Sequence, residues 1–204
     1  ERRRFAQVSH EYLIEQVQFT GSESIGTNLG AKNVTLNFNH PVKELVWAHV
    51  TNERLTVGTT ATSCRWFNYS GDNGVDNTSG IDSFNTALLQ LNGHDRFSVR
   101  QADYFRKVQN YEHHTRVPRV GADLNITVAN ENRGSLRQYI YTYSFALSPE
   151  EHQPSGTCNF SRIDNAVLQL AYRTTHPGMS LNVYAVNYNV LRIMSGMGGL
   201  AYSN

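Results

Sequence analysis

Residues 139–147 read Tyr-Ile-Tyr-Thr-Tyr-Ser-Phe-Ala-Leu, so Tyr139, Tyr141, Tyr143, Phe145 and Leu147 alternate with the smaller Ile140, Thr142, Ser144 and Ala146. Successive side chains of an extended chain point to opposite faces, whereas a helix would scatter these five large residues around its axis. The pattern predicts a β-strand with one bulky face against a core. Val34, Leu36 and Phe38 alternate with Asn33, Thr35 and Asn37 in the same way. Further strands are predicted over residues 11–19, 43–50, 83–91, 166–172 and 181–192, with weaker candidates at 64–69 and 125–128.

Turn formers separate these runs at residues 21–30, at Gly71-Asp-Asn-Gly74, at 130–134 and at Pro177-Gly178. One short helix is predicted over residues 101–108, with Tyr104, Phe105 and Val108 on its apolar face. About eight strands and one short helix favour an antiparallel β-sandwich or jelly roll over a parallel α/β sheet. With 204 residues the chain is expected to form a single domain, residues 1–204, with a core large enough to need no metal or disulfide staple. The polar, Gly/Asn/Thr-rich stretch 51–82 is the longest loop candidate, expected to face outward with Trp66 and Phe67 pinning its base.

The charge balance, 18 Lys plus Arg against 17 Asp plus Glu, argues against a coat for nucleic acid, and no direct nucleic-acid contact is predicted. The mild basic stretch of Lys107, Arg116 and Arg119 reads as a solvated or interface-forming face. No apolar run reaches the roughly 20 residues of a membrane-spanning helix. Cys64 and Cys158 are too sparse for a disulfide framework or a zinc site, and both are expected to be free thiols. The chain starts Glu1-Arg-Arg-Arg4, without a methionine or an apolar signal core, and is expected to be a fragment or a processed product.

A search for reaction chemistry yields little. Phosphate loops, nucleophile elbows and His-Glu-x-x-His pairs are absent from the sequence. Glu112-His113-His114 is the most metal-like cluster, but neighbours on an extended chain diverge, so structural histidines are expected. His152, beside Glu150 and Glu151, reads as part of a solvated loop. His94-Asp95-Arg96 reads as a strand-end turn, with Asp95 bonding backbone amides and Arg96 pairing locally. No catalytic residue, cofactor or metal site is therefore predicted. Five Asn-x-Ser/Thr sequons occur, at Asn33, Asn68, Asn77, Asn125 and Asn159. Asn68 and Asn77, in the long loop, are the candidate glycosylation sites.

Four phrases carry a family resemblance. Residues 144–165, from Ser144-Phe-Ala-Leu-Ser-Pro-Glu-Glu through His-Gln-Pro-Ser-Gly-Thr-Cys to Asn-Phe-Ser-Arg-Ile-Asp-Asn165, form the longest. The others are Leu89-Gln-Leu-Asn-Gly-His-Asp-Arg-Phe97, residues 104–118, and the stretch from Val183 through Asn189, Arg192, Ser195 and Gly199 to Asn204. Together they closely resemble the major capsid proteins of nucleocytoplasmic large DNA viruses, in the same order and across nearly the whole chain.

The resemblance implies a structural shell protein with no enzymatic activity, corresponding to the second of the family subunit's two jelly rolls. It implies a homotrimer whose six jelly rolls make a pseudo-hexameric capsomer, contacts with other capsid proteins, and a place in the virion after assembly in the host cytoplasm. Within the longest phrase, Gln153-Pro-Ser-Gly156 suits a type I turn, and Arg162 and Asp164 could pair on one face while Ile163 anchors the other. Gln153, Pro154, Gly156, Arg162 and Asp164 are the candidate subunit-contact loop, with a purely local folding role as the other reading. Two alternatives stand beside the shell protein. One is a carbohydrate-binding jelly roll displaying Trp66 and Tyr69; the other is a cupin-like metalloenzyme.

Overall fold

Alternating apolar residues zip two antiparallel sheets face to face. The computed structural model describes residues 2–55, 68–71, 82–117 and 139–202. Among these, the strands are β1 (His10–Ile25), β2 (Ala31–Thr35), β3 (Pro41–Thr51), β4 (Thr86–Leu91), β5 (His94–Asp95), β6 (Arg100–Gln101), β7 (Ile140–Ser144), β8 (Cys158–Asn159), β9 (Ala166–Ala171), β10 (Met179–Met194) and β11 (Met197–Leu200). The first sheet runs β1-β10-β3-β7, with β11 beside β10 and β8 beside β3. The second runs β2-β9-β4-β5, with β6 beside β4. The observed fold is the antiparallel sandwich that the alternation predicts.

The inward rows of the two sheets meet in one core. From the first sheet come Val42, Leu45, Trp47, Leu181, Val183 and Ala185; from the second, Val34, Ala87, Leu89, Leu168 and Leu170, all buried. Trp47 is fully covered, its ring 5.2 Å from Phe105, 6.1 Å from Tyr141 and 6.4 Å from Phe84. Offset and tilted ring pairs at such distances add to the stabilisation from burial alone. Val34, Leu36 and Phe38 are buried as expected, as are Tyr139, Tyr141 and Tyr143.

Two tight hairpins close the ends of the sheets. Asn92 and Gly93, at φ 50° and 79°, join β4 to β5, and Ser195 and Gly196, at 53° and 79°, join β10 to β11. Positive φ at both central residues is the geometry of two-residue loops that match the strand twist.

The structure corrects several expectations. The Tyr-rich strand stops at Ser144, and Leu147 is 74% exposed. The reason lies in β3, where the register against β10 slips between Glu44 and Val42, leaving Lys43 as a bulge. Its carbonyl accepts from both Phe145 N (2.8 Å) and Ala146 N (3.2 Å), which turns the chain out of the sheet. The short helix extends further than expected: a π-helical turn, Tyr104–Val108, leads into α3 (Gln109–His113), after the short α1 (Arg2–Gln7) and α2 (Asn52–Leu55). The wider π turn rotates the buried stripe, so Phe105, Arg106, Gln109 and Asn110 are buried and Val108 is 39% exposed.

In the 51–82 stretch, Cys64, Trp66, Phe67 and Asn77 lie outside the described residues, as do Arg119, Asn125 and the strand candidate 125–128. Within the described part, the fully buried Arg54 fastens the base. Its Nη1 donates to the Asn68 carbonyl at 2.9 Å and to the Ser70 carbonyl. Tyr69 packs on the core and is not displayed. Asn68, expected as an accessible sequon, is buried, and its Oδ1 accepts from Ser70 N (3.1 Å) and Ser70 Oγ (2.8 Å). Cys158 is a half-buried free thiol, as predicted.

Candidate functional site

Three of the four phrases meet in space. Phe97 packs against Tyr143 (4.8 Å between ring centroids) and Phe105 (5.5 Å), joining the β4-β5 hairpin to the helix and to β7. β7 is an edge strand of its sheet among the described residues, and an edge left bare invites pairing with another chain. Here the helix covers it. Ser144 N donates to Gln109 Oε1 at 3.0 Å, and Thr142 Oγ1 donates to Asn110 Oδ1 at 3.2 Å.

The loop after β7 is built on backbone ties. Ser148 N donates to Ser155 Oγ (2.9 Å), Phe160 N donates to the His40 carbonyl (3.0 Å), and β8 pairs with Pro41 and Val42. The hydrogen-bonded turn is Ser148-Pro-Glu-Glu151, closed by Glu151 N to Ser148 O, and not Gln153–Gly156. Pro149 sits where a proline presets the turn. Gly156 does a different job. At φ 150° its missing Cβ would stand 2.7 Å from the Phe145 carbonyl, so no side chain fits.

Gln153, Pro154, Arg162 and Asp164 are exposed, while Ile163 packs on the core as anticipated. No hydrogen bond or ion pair joins Arg162 to Asp164 among the described residues, because Arg162 closes a short 3₁₀ turn (Phe160–Arg162). The candidate contact residues are thus brought to one loop, but Gly156 belongs to its scaffold.

Charge gathers where this loop meets the first sheet. The His114 ring stands between Glu44 on β3 (Nε2 to Oε2, 3.0 Å) and Glu150 in the loop (Nδ1 to Oε1, 3.2 Å). The close contact with the Glu44 carboxylate raises its pKa above the ordinary 6.5, outweighing the lowering by burial, and Glu150 adds to the rise. Glu150 also accepts from Thr115 N at 3.1 Å, and its pKa is lowered by the Thr115 and His114 contacts. His113 faces the Leu147 carbonyl at 2.9 Å. Alongside, the buried Lys43 ammonium donates to Glu15 at 2.6 Å, and His152 lies 4.0 Å from the same carboxylate oxygen. Both histidines of the Glu112-His113-His114 cluster are structural, and among the described residues no group of ligands has the arrangement of a metal site.

On the outer face of the first sheet, the cross-strand rows Phe19–Tyr184–Val46 and Val17–Val186–Glu44 form an apolar band next to that charge. Val17 is 66% exposed and Phe19 47%, its ring stacked 4.8 Å from Tyr184. Contiguous apolar surface of this kind marks interaction sites. Sequence reasoning missed it because Val17 and Phe19 alternate just as core-facing residues do.

A second polar cluster invites a catalytic reading. Ser83 Oγ is 2.8 Å from His49 Nδ1, and His49 Nε2 is 3.0 Å from the Tyr172 hydroxyl. Burial, with the nearby His176, lowers the His49 pKa to about 3. Ser83 and His49 are each 1% exposed, so no substrate reaches them and the trio is a buried hydrogen-bond network. The His94-Asp95-Arg96 expectation also changes: Asp95 accepts from the Gln90 side chain (2.7 Å), and Gln90 accepts from Gln169 (2.7 Å), giving a polar ladder across β5, β4 and β9.

Comparison with known proteins places this geometry. The chain matches the family described as large eukaryotic DNA virus major capsid protein over residues 1–132 and 127–199. It is 50% identical to the major capsid protein of Pyramimonas orientalis virus, over all of this chain and 46% of the relative. Identity to the major capsid protein of Paramecium bursaria Chlorella virus 1 is 43%, over all of this chain and 51% of the relative. The chain thus spans about half the length of these relatives. The fold superposes on a quasi-atomic model of the PBCV-1 virus capsid with a TM-score of 0.71 at 37% identity, covering 100% of this chain and 54% of that one. Faustovirus major capsid protein shares the fold, with a TM-score of 0.59 at 14% identity.

Proposed function

Because this chain belongs to the family of large eukaryotic DNA virus major capsid proteins, we propose that it is one of two jelly rolls of a shell subunit, acting through shape and burial and not through catalysis. The observation that carries this reading is the apolar band of Val17, Phe19, Tyr184, Val186 and Val46 on the outer face of the first sheet. A sandwich that worked alone would gain nothing from exposing it; a sandwich that stands against another sheet would bury it. The shell subunit is a homotrimer, pseudo-hexameric in outline, that meets other capsid proteins in the virion and assembles in the host cytoplasm. Gln153, Pro154, Arg162 and Asp164, exposed on a loop held by its backbone, are offered as further subunit contacts. Asn77 remains the candidate glycan acceptor.

Light scattering of the polypeptide that carries this chain tests the reading. The unmodified polypeptide is expected to be trimeric. Val17→Asp combined with Phe19→Asp is expected to yield monomers with unchanged circular dichroism, since both side chains are exposed. Trimers that survive the double substitution would move the contact elsewhere, and a monomeric unmodified polypeptide would overturn the assembly reading.

A further inference from the structure

His114 stands between two carboxylates, a setting that favours its doubly protonated, charged form. Its two ring nitrogens face two different carboxylates, Glu44 at 3.0 Å and Glu150 at 3.2 Å. A neutral imidazole has one N–H and one lone pair, so it can donate to one carboxylate only and turns its lone pair on the other. The imidazolium donates to Glu150 through Nδ1 and turns its positive Nε2 edge to Glu44 as a close ion pair. The ring also follows directly on the carbonyl end of α3, where a cation is favoured.

We propose that His114 is a proton-operated latch that clasps the loop at residues 147–157 to the outer face of the first sheet. With both ring nitrogens protonated, it bridges β3 and the loop. When one proton leaves, the Glu150 arm opens first, because that side chain is 41% exposed and water can replace the contact, whereas Glu44 is 12% exposed. The Thr115 N–H then loses its Glu150 acceptor as well. The loop stays anchored at the Lys43 carbonyl and at β8, so the latch loosens the Ser148–Ser155 arch and leaves the sandwich intact.

To the surroundings of the ring, β3 contributes Glu44 and the loop contributes Glu150. α3 contributes His113, turned to the Leu147 carbonyl, and β7 offers only the neutral Thr142 and Ser144. The Lys43–Glu15 pair and His152 flank the site along the outer face. His114 titrates above 6.5 and Glu150 below 4.5, so the latch is closed between them and opens as pH rises through the raised histidine value.

Hydrogen exchange of the 204-residue chain, corrected for intrinsic rates and followed from about pH 5 to pH 9, reads the latch directly. The Thr115 and Glu151 amides are expected to lose protection as pH rises, by up to about tenfold per unit for one released proton. His114→Gln is expected to show low, pH-independent protection at both amides. Glu150→Gln, an exposed substitution that leaves the core untouched, is expected to abolish the same pH dependence and so serves if His114→Gln fails to fold. Flat protection in the unmodified chain, or an unchanged pH dependence in Glu150→Gln, would overturn the proposal.

Discussion

Two histidines in this chain sit in opposite electrostatic settings and pull stability in opposite directions with pH. His49 is buried and its pKa falls to about 3, so between that value and the unfolded 6.5 only the unfolded chain binds the proton. Its contribution is complete above 6.5 and drains away as pH falls through that window. His114 is raised by Glu44, so its contribution is complete below 6.5 and is lost as pH rises through the higher folded value. The urea midpoint is therefore expected to peak near neutrality. His49→Gln should flatten the acid limb and His114→Gln the alkaline one; a midpoint that declines equally in both variants would contradict the assignment. Glycines separate by the same close reading. Gly156→Ala puts a methyl group against the Phe145 carbonyl at a positive φ and is expected to cost roughly 1–3 kcal/mol in urea unfolding. Gly199→Ala, with open space around its Cβ, should stay within about 0.5 kcal/mol.

At the scale of elements, alternation in the sequence located strands wherever one face meets the core, as in β2, β3, β9 and the first half of β10. It failed where a tertiary contact intervenes. The Tyr-rich strand ends at Ser144 because the Lys43 bulge captures the next two amides, and nothing local in residues 145–147 announces that. Alternation is equally blind to which side is inside, so the exposure of Val17 and Phe19 came only from their register against β10. The β4-β5 hairpin was legible in principle from the Asn92-Gly93 dipeptide that sets its turn. Clamps such as Arg54 on Asn68 and Ser70, or Glu150 on His114, join residues distant in sequence and leave no periodic trace. The edge cover of β7 gives a test at this scale. Gln109→Ala leaves the Ser144 N–H buried without its acceptor and is expected to destabilise the chain by about 1–3 kcal/mol. A neutral effect would mean that another group caps this edge.

At the scale of the molecule, the role proposed for the sandwich is that of a wall. Its interior is filled by aromatic and aliphatic rows from both sheets, the edge strand β7 is covered by the helix, and its outer face keeps an apolar band that the described residues leave exposed. That division suits a subunit whose stability is settled internally and whose remaining apolar surface is reserved for neighbours. The His114 junction lies at the border of the same face, so the proposed assembly contacts and the loop position share one boundary. Electron cryomicroscopy of the virus particles that contain this chain tests the central claim most directly. The sandwich should fit the outer shell as one of six jelly rolls in each pseudo-hexagonal capsomer, with the Val17–Phe19–Tyr184 face buried against an adjacent sheet. A shell whose density has no place for the sandwich, or one in which that face opens to solvent, would contradict the account.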